Sequence, residues 1–194
     1  MKHLLFFCGH AGTGKTTLAR RLFAPLSNAA GEPFCLLDKD TLYGPYSAAA
    51  IGALTGDPHD RDSPQFIEHF RDPEYRSLIN TAAENLSLGT SVIVVAPLTR
   101  EVRSGRLFDR AWLGIDDDVA IRVVWVHTAE AVARERILAR ADPNDAYKLA
   151  HWDEYRRRLF VPDDTLAQTL VMVDNTAPSD DTHADLLARL VETG

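Results

Sequence analysis

Near the amino terminus, Gly9-His10-Ala11-Gly12-Thr13-Gly14-Lys15-Thr16 places a glycine, four intervening residues and then Gly-Lys-Thr in one uninterrupted run. These types at this spacing suit the grip of a polyphosphate. Glycines admit torsions that turn successive backbone N–H groups toward one point, and a helix opening at Lys15 adds the positive end of its dipole. Lys15 brings a cation to the outer phosphates, and Thr16 offers a hydroxyl to Mg²⁺. The run matches G-x-x-x-x-G-K-[ST] in full, so Gly9 through Thr16, with Thr17 on the first helical turn, is the candidate nucleotide site. His10 is the unusual filler, either a substrate contact or a loop residue without chemistry.

Two carboxylates follow in Leu36-Leu37-Asp38-Lys39-Asp40, at the expected carboxyl end of an apolar strand, where open α/β sheets place ligand groups. A carboxylate within reach of an acceptor hydroxyl takes its proton as a phosphoryl group arrives. Asp38 suits a water of the Mg²⁺ shell. Both aspartates also fit the N-cap of a helix starting near Thr41. Farther on, Val92-Ile93-Val94-Val95 runs into Ala96-Pro97-Leu98-Thr99-Arg100 without an acid at the point where many P-loop NTPases hold a metal ligand. Magnesium would then rest on Thr16, phosphate oxygens, water and Asp38. Thr99, Arg100 and Arg103 follow that strand as candidates for an acceptor pocket or as solvated surface groups. Arg134, Arg136 and Arg140 sit in one helical stretch, the last two four residues apart on a shared face. Guanidinium groups so placed spread charge over transferring phosphoryl oxygens, or simply pair with Glu135 and its acidic neighbours.

The elements that must position these groups are legible as alternating periods. Leu4–Cys8, Phe34–Leu37, Val92–Val95, Ile121–Val126 and Leu170–Val173 are nearly continuous apolar runs, as strands buried on both faces require. Between them Tyr75, Leu78, Ile79, Ala82 and Leu86 recur at helical spacing, as do Ala133, Ile137 and Ala141, and Leu186, Leu187, Leu190 and Val191. The class is α/β, a five-stranded parallel sheet covered by helices in one domain over 1–194. The stretches 44–72 and 99–118, richer in Gly, Pro, Asp and Arg, read as loops and short helices above the sheet edge. Tyr147, Trp152 and Tyr155 read as packing on a helix capped by Asp142-Pro143-Asn144-Asp145.

The chain has 194 residues, 45% of them hydrophobic, and 21 Lys plus Arg against 28 Asp plus Glu, a formal charge of −7. Disorder and collagen are thereby excluded, and the acidic balance does not favour a nucleic-acid partner. Cys8 and Cys35 lack metal-ribbon or disulfide spacing, and the apolar run ended by Gly9 is too short for a leader or a membrane span, so a soluble cytoplasmic protein is expected.

On the phosphate loop, the Asp38-Lys39-Asp40 run and the arginine-rich helix, the chain resembles the P-loop kinases that phosphorylate small hydroxylated molecules. These include shikimate and gluconate kinases, chloramphenicol phosphotransferase, zeta-toxin-type kinases and the kinase domain of polynucleotide kinases. The resemblance implies a three-layer α/β/α P-loop fold of nucleoside-monophosphate-kinase type, ATP and Mg²⁺ as cofactors, and a hydroxyl of a small metabolite or antibiotic-like molecule as acceptor. It further implies Asp40 as the base, Lys15, Arg136 and Arg140 as catalytic cations, and an acceptor region over about 43–75 in which Arg61 contacts the acceptor. A helical lid over about 130–158 and an approach of Asn175, in Asp174-Asn175-Thr176, to the adenine complete the expectation. Two other readings are an NTP-driven regulatory module and a kinase of nucleic-acid ends, which the Asp-Lys-Asp run suggests.

Overall fold

The computed structural model describes residues 1–61 and 63–191; Asp62, within the polar run beside Arg61, lies outside the described residues. Five strands are seen there: β1 (Lys2–Cys8), β2 (Phe34–Asp38), β3 (Ser91–Val95), β4 (Val119–His127) and β5 (Val171–Asp174). All pair in parallel in the order β2-β3-β1-β4-β5, with Phe6 of β1 level with Val94 on one side and Val123 on the other. Successive side chains of β1 point to opposite faces. Leu4, Phe6 and Cys8 join one buried cluster, and Leu5 and Phe7 join another. This double burial explains the continuous apolar runs, since neither face of the central strand meets water.

The helices are α1 (Lys15–Ala30), α2 (Lys39–Thr55), α3 (Pro64–Phe66), which passes through one wider turn (Ile67–Arg71) into α4 (Asp72–Ser87), α5 (Thr99–Arg103), α6 (Arg110–Leu113), α7 (Glu130–Arg140), α8 (Ala146–Ala150), α9 (Trp152–Arg157), α10 (Asp164–Ala167) and α11 (Asp180–Val191). Leu18, Leu22 and Leu26 of α1 and Leu186 and Leu190 of α11 cover one face of the sheet. Tyr75, Leu78, Ile79, Ala82 and Leu86 of α4 cover the other, giving the three layers. Because the chain steps from β1 out to β2, back to β3 and across to β4, the sheet order reverses beside β1. A crevice therefore opens at the carboxyl ends of β1, β3 and β4.

Three boundaries depart from expectation. The stretch from Gly44 to Thr55 is not loop but the body of the 17-residue α2, which runs on through Gly44, Pro45 and Gly52. Asp38 caps its start, and Ser47 and Ile51 bury against the core, so tertiary contact overrides weak local propensity. Helix α7 stops at Arg140 because Ala141 adopts the left-handed conformation (φ 50°), a position where glycine is usual. Tyr147 and Tyr155 lie on separate short helices, broken at His151, rather than on one. Among the described residues no helix is long and apolar enough to cross a membrane.

Candidate active site

The phosphate loop leaves β1 into the crevice with Gly9, Gly12 and Gly14 all at positive φ (144°, 78° and 83°). At all three the neighbours forbid a side chain, a Cβ on Gly9 colliding with the Val126 carbonyl of β4. A Cβ on Gly12 would stand 2.5 Å from the Ala133 carbonyl oxygen of α7, and one on Gly14 would collide with the Asn175 amide. The loop is thus clamped between α7 and the turn after β5. Asn175, buried, donates from Nδ2 to the Thr13 carbonyl at 2.7 Å. Inside the loop the His10 carbonyl accepts from Thr13 Oγ1 (3.0 Å) and Lys15 Nζ (3.2 Å). Burial pulls the Lys15 ammonium below the usual lysine range; the Asp40 carboxylate opposes that shift and Arg140 adds to it. Thr16 is half-buried and Thr17 exposed on the first turn of α1.

The His10 ring turns away from the loop's interior. Its Nε2 lies 2.8 Å from the Phe160 N–H and 2.9 Å from the Phe160 carbonyl, and the ring stands edge-on to Trp125. Burial lowers its pKa, which suits a neutral imidazole that accepts the Phe160 N–H. A second tie comes from Tyr155, whose hydroxyl accepts the Ala11 N–H at 3.3 Å. Residues 155–160 are therefore strapped onto the loop, and Tyr155, expected to be packing alone, touches a donor of the loop itself.

Across the crevice, Lys15, Asp40, Arg61, Thr99 and Arg140 line one cavity of about 610 Å³ together with Lys39 and Tyr155. Asp40 is 79% exposed and pairs with Lys39 Nζ at 2.8 Å. Desolvation works to raise its pKa, but Lys39, Lys15 and Arg61 outweigh it and hold the carboxyl below the ordinary range. It therefore stands ionised at neutral pH, able to accept a hydroxyl hydrogen. Asp38 is a different case. Its Oδ1 accepts the N–H groups of Asp40 (2.9 Å) and Thr41 (3.4 Å), so it caps α2, and it is not among the cavity's walls.

The two α7 arginines part company. Arg140 faces the cavity and pairs with the buried Asp145, donating from Nε at 2.7 Å. Arg136 is not among the cavity's walls. It reaches the other side of the loop, where Nη2 donates to the carbonyls of Asn175 (2.9 Å) and Thr176 (3.3 Å), while Nη1 is buried near Gly14 without a partner. Arg134 lies over the Trp152 ring instead. Arg100 takes the surface alternative rather than a place in the cavity. It sits 57% exposed, 3.9 Å from Asp72, in a separate depression with Arg71 and Trp112, because α5 turns it away from the crevice.

Sequence reasoning left Lys39, on the cavity wall, and its buried partner Glu74 unassigned. Lys39 is 11% and Glu74 6% exposed in the side chain, and their charged groups lie 3.3 Å apart. Lys39 stood inside the quoted Asp-Lys-Asp run, whereas Glu74, a single acid in an amphipathic helix, gave no signal beyond an interruption of polar spacing. Among the described residues no cluster of three His, Cys, Asp or Glu side chains forms a metal site.

Residues 4–162 match a family described as an AAA domain. Among solved structures the chain is similar to an APS kinase from Mycobacterium tuberculosis in complex with AMPPNP and APS, at 21% identity and a TM-score of 0.62 over 99% of this chain and 98% of that one. It is also similar to a sugar kinase from Janibacter sp. HTCC2649 (19%, TM-score 0.58, 97% and 91%) and to a gluconokinase from Sinorhizobium meliloti 1021 (20%, TM-score 0.56, 98% and 93%). No curated protein matches the chain. At these identities the likeness is one of fold, the three-layer α/β/α fold of P-loop kinases.

Proposed function

This chain belongs to the AAA-domain family, and from that membership and the geometry of its site we propose an ATP-dependent phosphotransferase that moves the γ-phosphoryl group to a hydroxyl of a small molecule. One observation carries the reading: a single cavity holds the loop lysine, Lys15, together with an ionised carboxylate, Asp40, and a cation from α7, Arg140. Phosphoryl donor and hydroxyl acceptor meet between such groups, because the reaction asks chiefly for alignment and for positive charge around the oxygens in flight.

The nucleotide fits the loop. Its glycines, all at positive φ, seat the loop backbone directly against β4, α7 and Asn175, and the unpartnered Arg136 Nη1 lies beside Gly14. Magnesium would be held by the Thr16 hydroxyl, phosphate oxygens and water, and would supply charge neutralisation of the triphosphate. Asp40 orients the acceptor hydroxyl and takes its proton. Arg140 faces the developing charge, and α8 and α9, strapped to the loop through Tyr155, shield the reaction from water.

The test is incubation with γ-labelled ATP, Mg²⁺ and a panel of hydroxyl compounds, followed by separation of labelled products. A phosphorylated acceptor is expected. ADP release without any labelled acceptor points instead to a nucleotide-driven switch and rejects the transferase reading.

A further inference from the structure

The acceptor's charge class follows from how the cavity's ions are paired. On the wall away from the phosphate loop stand Lys39 and Arg61, with side chains 11% and 12% exposed, and between them the buried Glu74. Glu74 Oε2 accepts from Lys39 Nζ at 3.3 Å; Oε1 accepts from Arg61 Nη1 at 3.4 Å and from the Ser47 hydroxyl. Lys39 also pairs with Asp40, and Arg61 Nη2 donates to the Gly44 carbonyl at 3.0 Å. Two cations face two carboxylates, so this wall is electrically neutral among the described residues.

The phosphate end has little charge to spare. Arg140 and Lys148 share the buried Asp145, which leaves Lys15 and Asp142 as the remaining charged groups among the described lining. One net positive charge is left there, and a magnesium-bound triphosphate brings roughly two net negative ones. With the nucleotide bound the cavity therefore carries about one net negative charge, and an anionic acceptor would add a like charge to it. A hydroxyl-bearing neutral molecule meets no such barrier. The Lys39 ammonium keeps a donor beyond its two carboxylate partners, Arg61 keeps guanidinium N–H groups, and Asp40 accepts.

We propose that the acceptor is an uncharged polyhydroxylated molecule of the sugar or polyol type, and that Glu74 sets this preference by neutralising Lys39 and Arg61; the inference rests on the phosphotransferase reading. Glu74 is a specificity residue acting through its two cationic partners.

The experiment uses matched probes, an aldose, its aldonate and its 2-amino counterpart, with MgATP, and reads kcat/KM for each. The wild type is expected to favour the neutral member. Glu74→Gln keeps the shape and uncovers one positive charge, so the aldonate-to-aldose ratio should rise about tenfold; Arg61→Gln uncovers one negative charge and should move the ratio toward the amine. A merely structural role for Glu74 lowers all three probes alike and overturns the inference, as does a wild type that prefers the aldonate. Should Glu74→Gln fail to fold, as judged by circular dichroism, the direction of the Arg61→Gln shift decides. Product from acids alone leaves the transferase standing and this inference fallen; no product from any hydroxyl compound fells both.

Discussion

Asn175→Ala distinguishes a residue that braces the phosphate loop from one that touches the base. In the folded chain the Asn175 amide is buried, donates to the Thr13 carbonyl at 2.7 Å and abuts Gly14. Truncation removes that bond and leaves a buried carbonyl unpaired, which costs about 1–3 kcal/mol. If the whole cost falls on the organised loop, phosphate binding weakens roughly 5- to 150-fold, since 1.4 kcal/mol is a factor of ten. The loop grips phosphates whether or not a nucleoside is attached, so ATP and inorganic tripolyphosphate should weaken by the same factor. Isothermal titration of both ligands, with Mg²⁺, gives the comparison. Thermal unfolding should fall in parallel by roughly 2–12 °C, at about 2–4 °C per kcal/mol for a domain of this size. A variant that loses ATP affinity while holding tripolyphosphate as tightly as before would refute the bracing role and place Asn175 at the base.

Asp40→Asn should lower turnover by about 10²–10⁴-fold with MgATP affinity nearly unchanged, measured by product formation and by titration; because its neighbours hold Asp40 below the ordinary carboxylate range, the wild-type acid limb should lie below that range too. His10 has a folded pKa depressed by burial, so its contribution to stability is full above its ordinary value of 6.5 and is lost as pH falls through the lowered one. The melting temperature of His10→Gln should accordingly decline less than the wild type's between pH 7 and pH 5, and equal slopes would count against the strap to Phe160. Arg100→Ala should change stability by less than about 0.5 kcal/mol in chemical denaturation and leave turnover intact, because its pairing with Asp72 is long and exposed. A large loss of turnover would put Arg100 at the site after all.

The local features of this protein were readable from the chain because their physics is local. A phosphate loop works through consecutive backbone amides, so Gly9 to Thr16 carries its own signature. A strand buried on both faces must be apolar at every position, and β1, β2, β3, β4 and β5 announce themselves within a residue or two of their ends. Even the three layers follow, since helical apolar stripes between such strands have nowhere else to go.

Tertiary structure decided what each polar side chain does. Asp38 and Asp40 are two residues apart and chemically identical. Asp38 ends β2 in extended conformation, where its oxygen turns back onto the first N–H groups of α2; Asp40, already helical, projects outward into the cavity. Arg136 and Arg140 share a helix face, yet one finds carbonyls beyond β5 and the other finds Asp145. Lys39 and Glu74 are 35 residues apart, Ala11 and Tyr155 144, Thr13 and Asn175 162. Residue type and spacing determine which chemistry is possible, but partners so distant along the chain are chosen by which strand ends the sheet order brings together, and that order is a property of the packed whole.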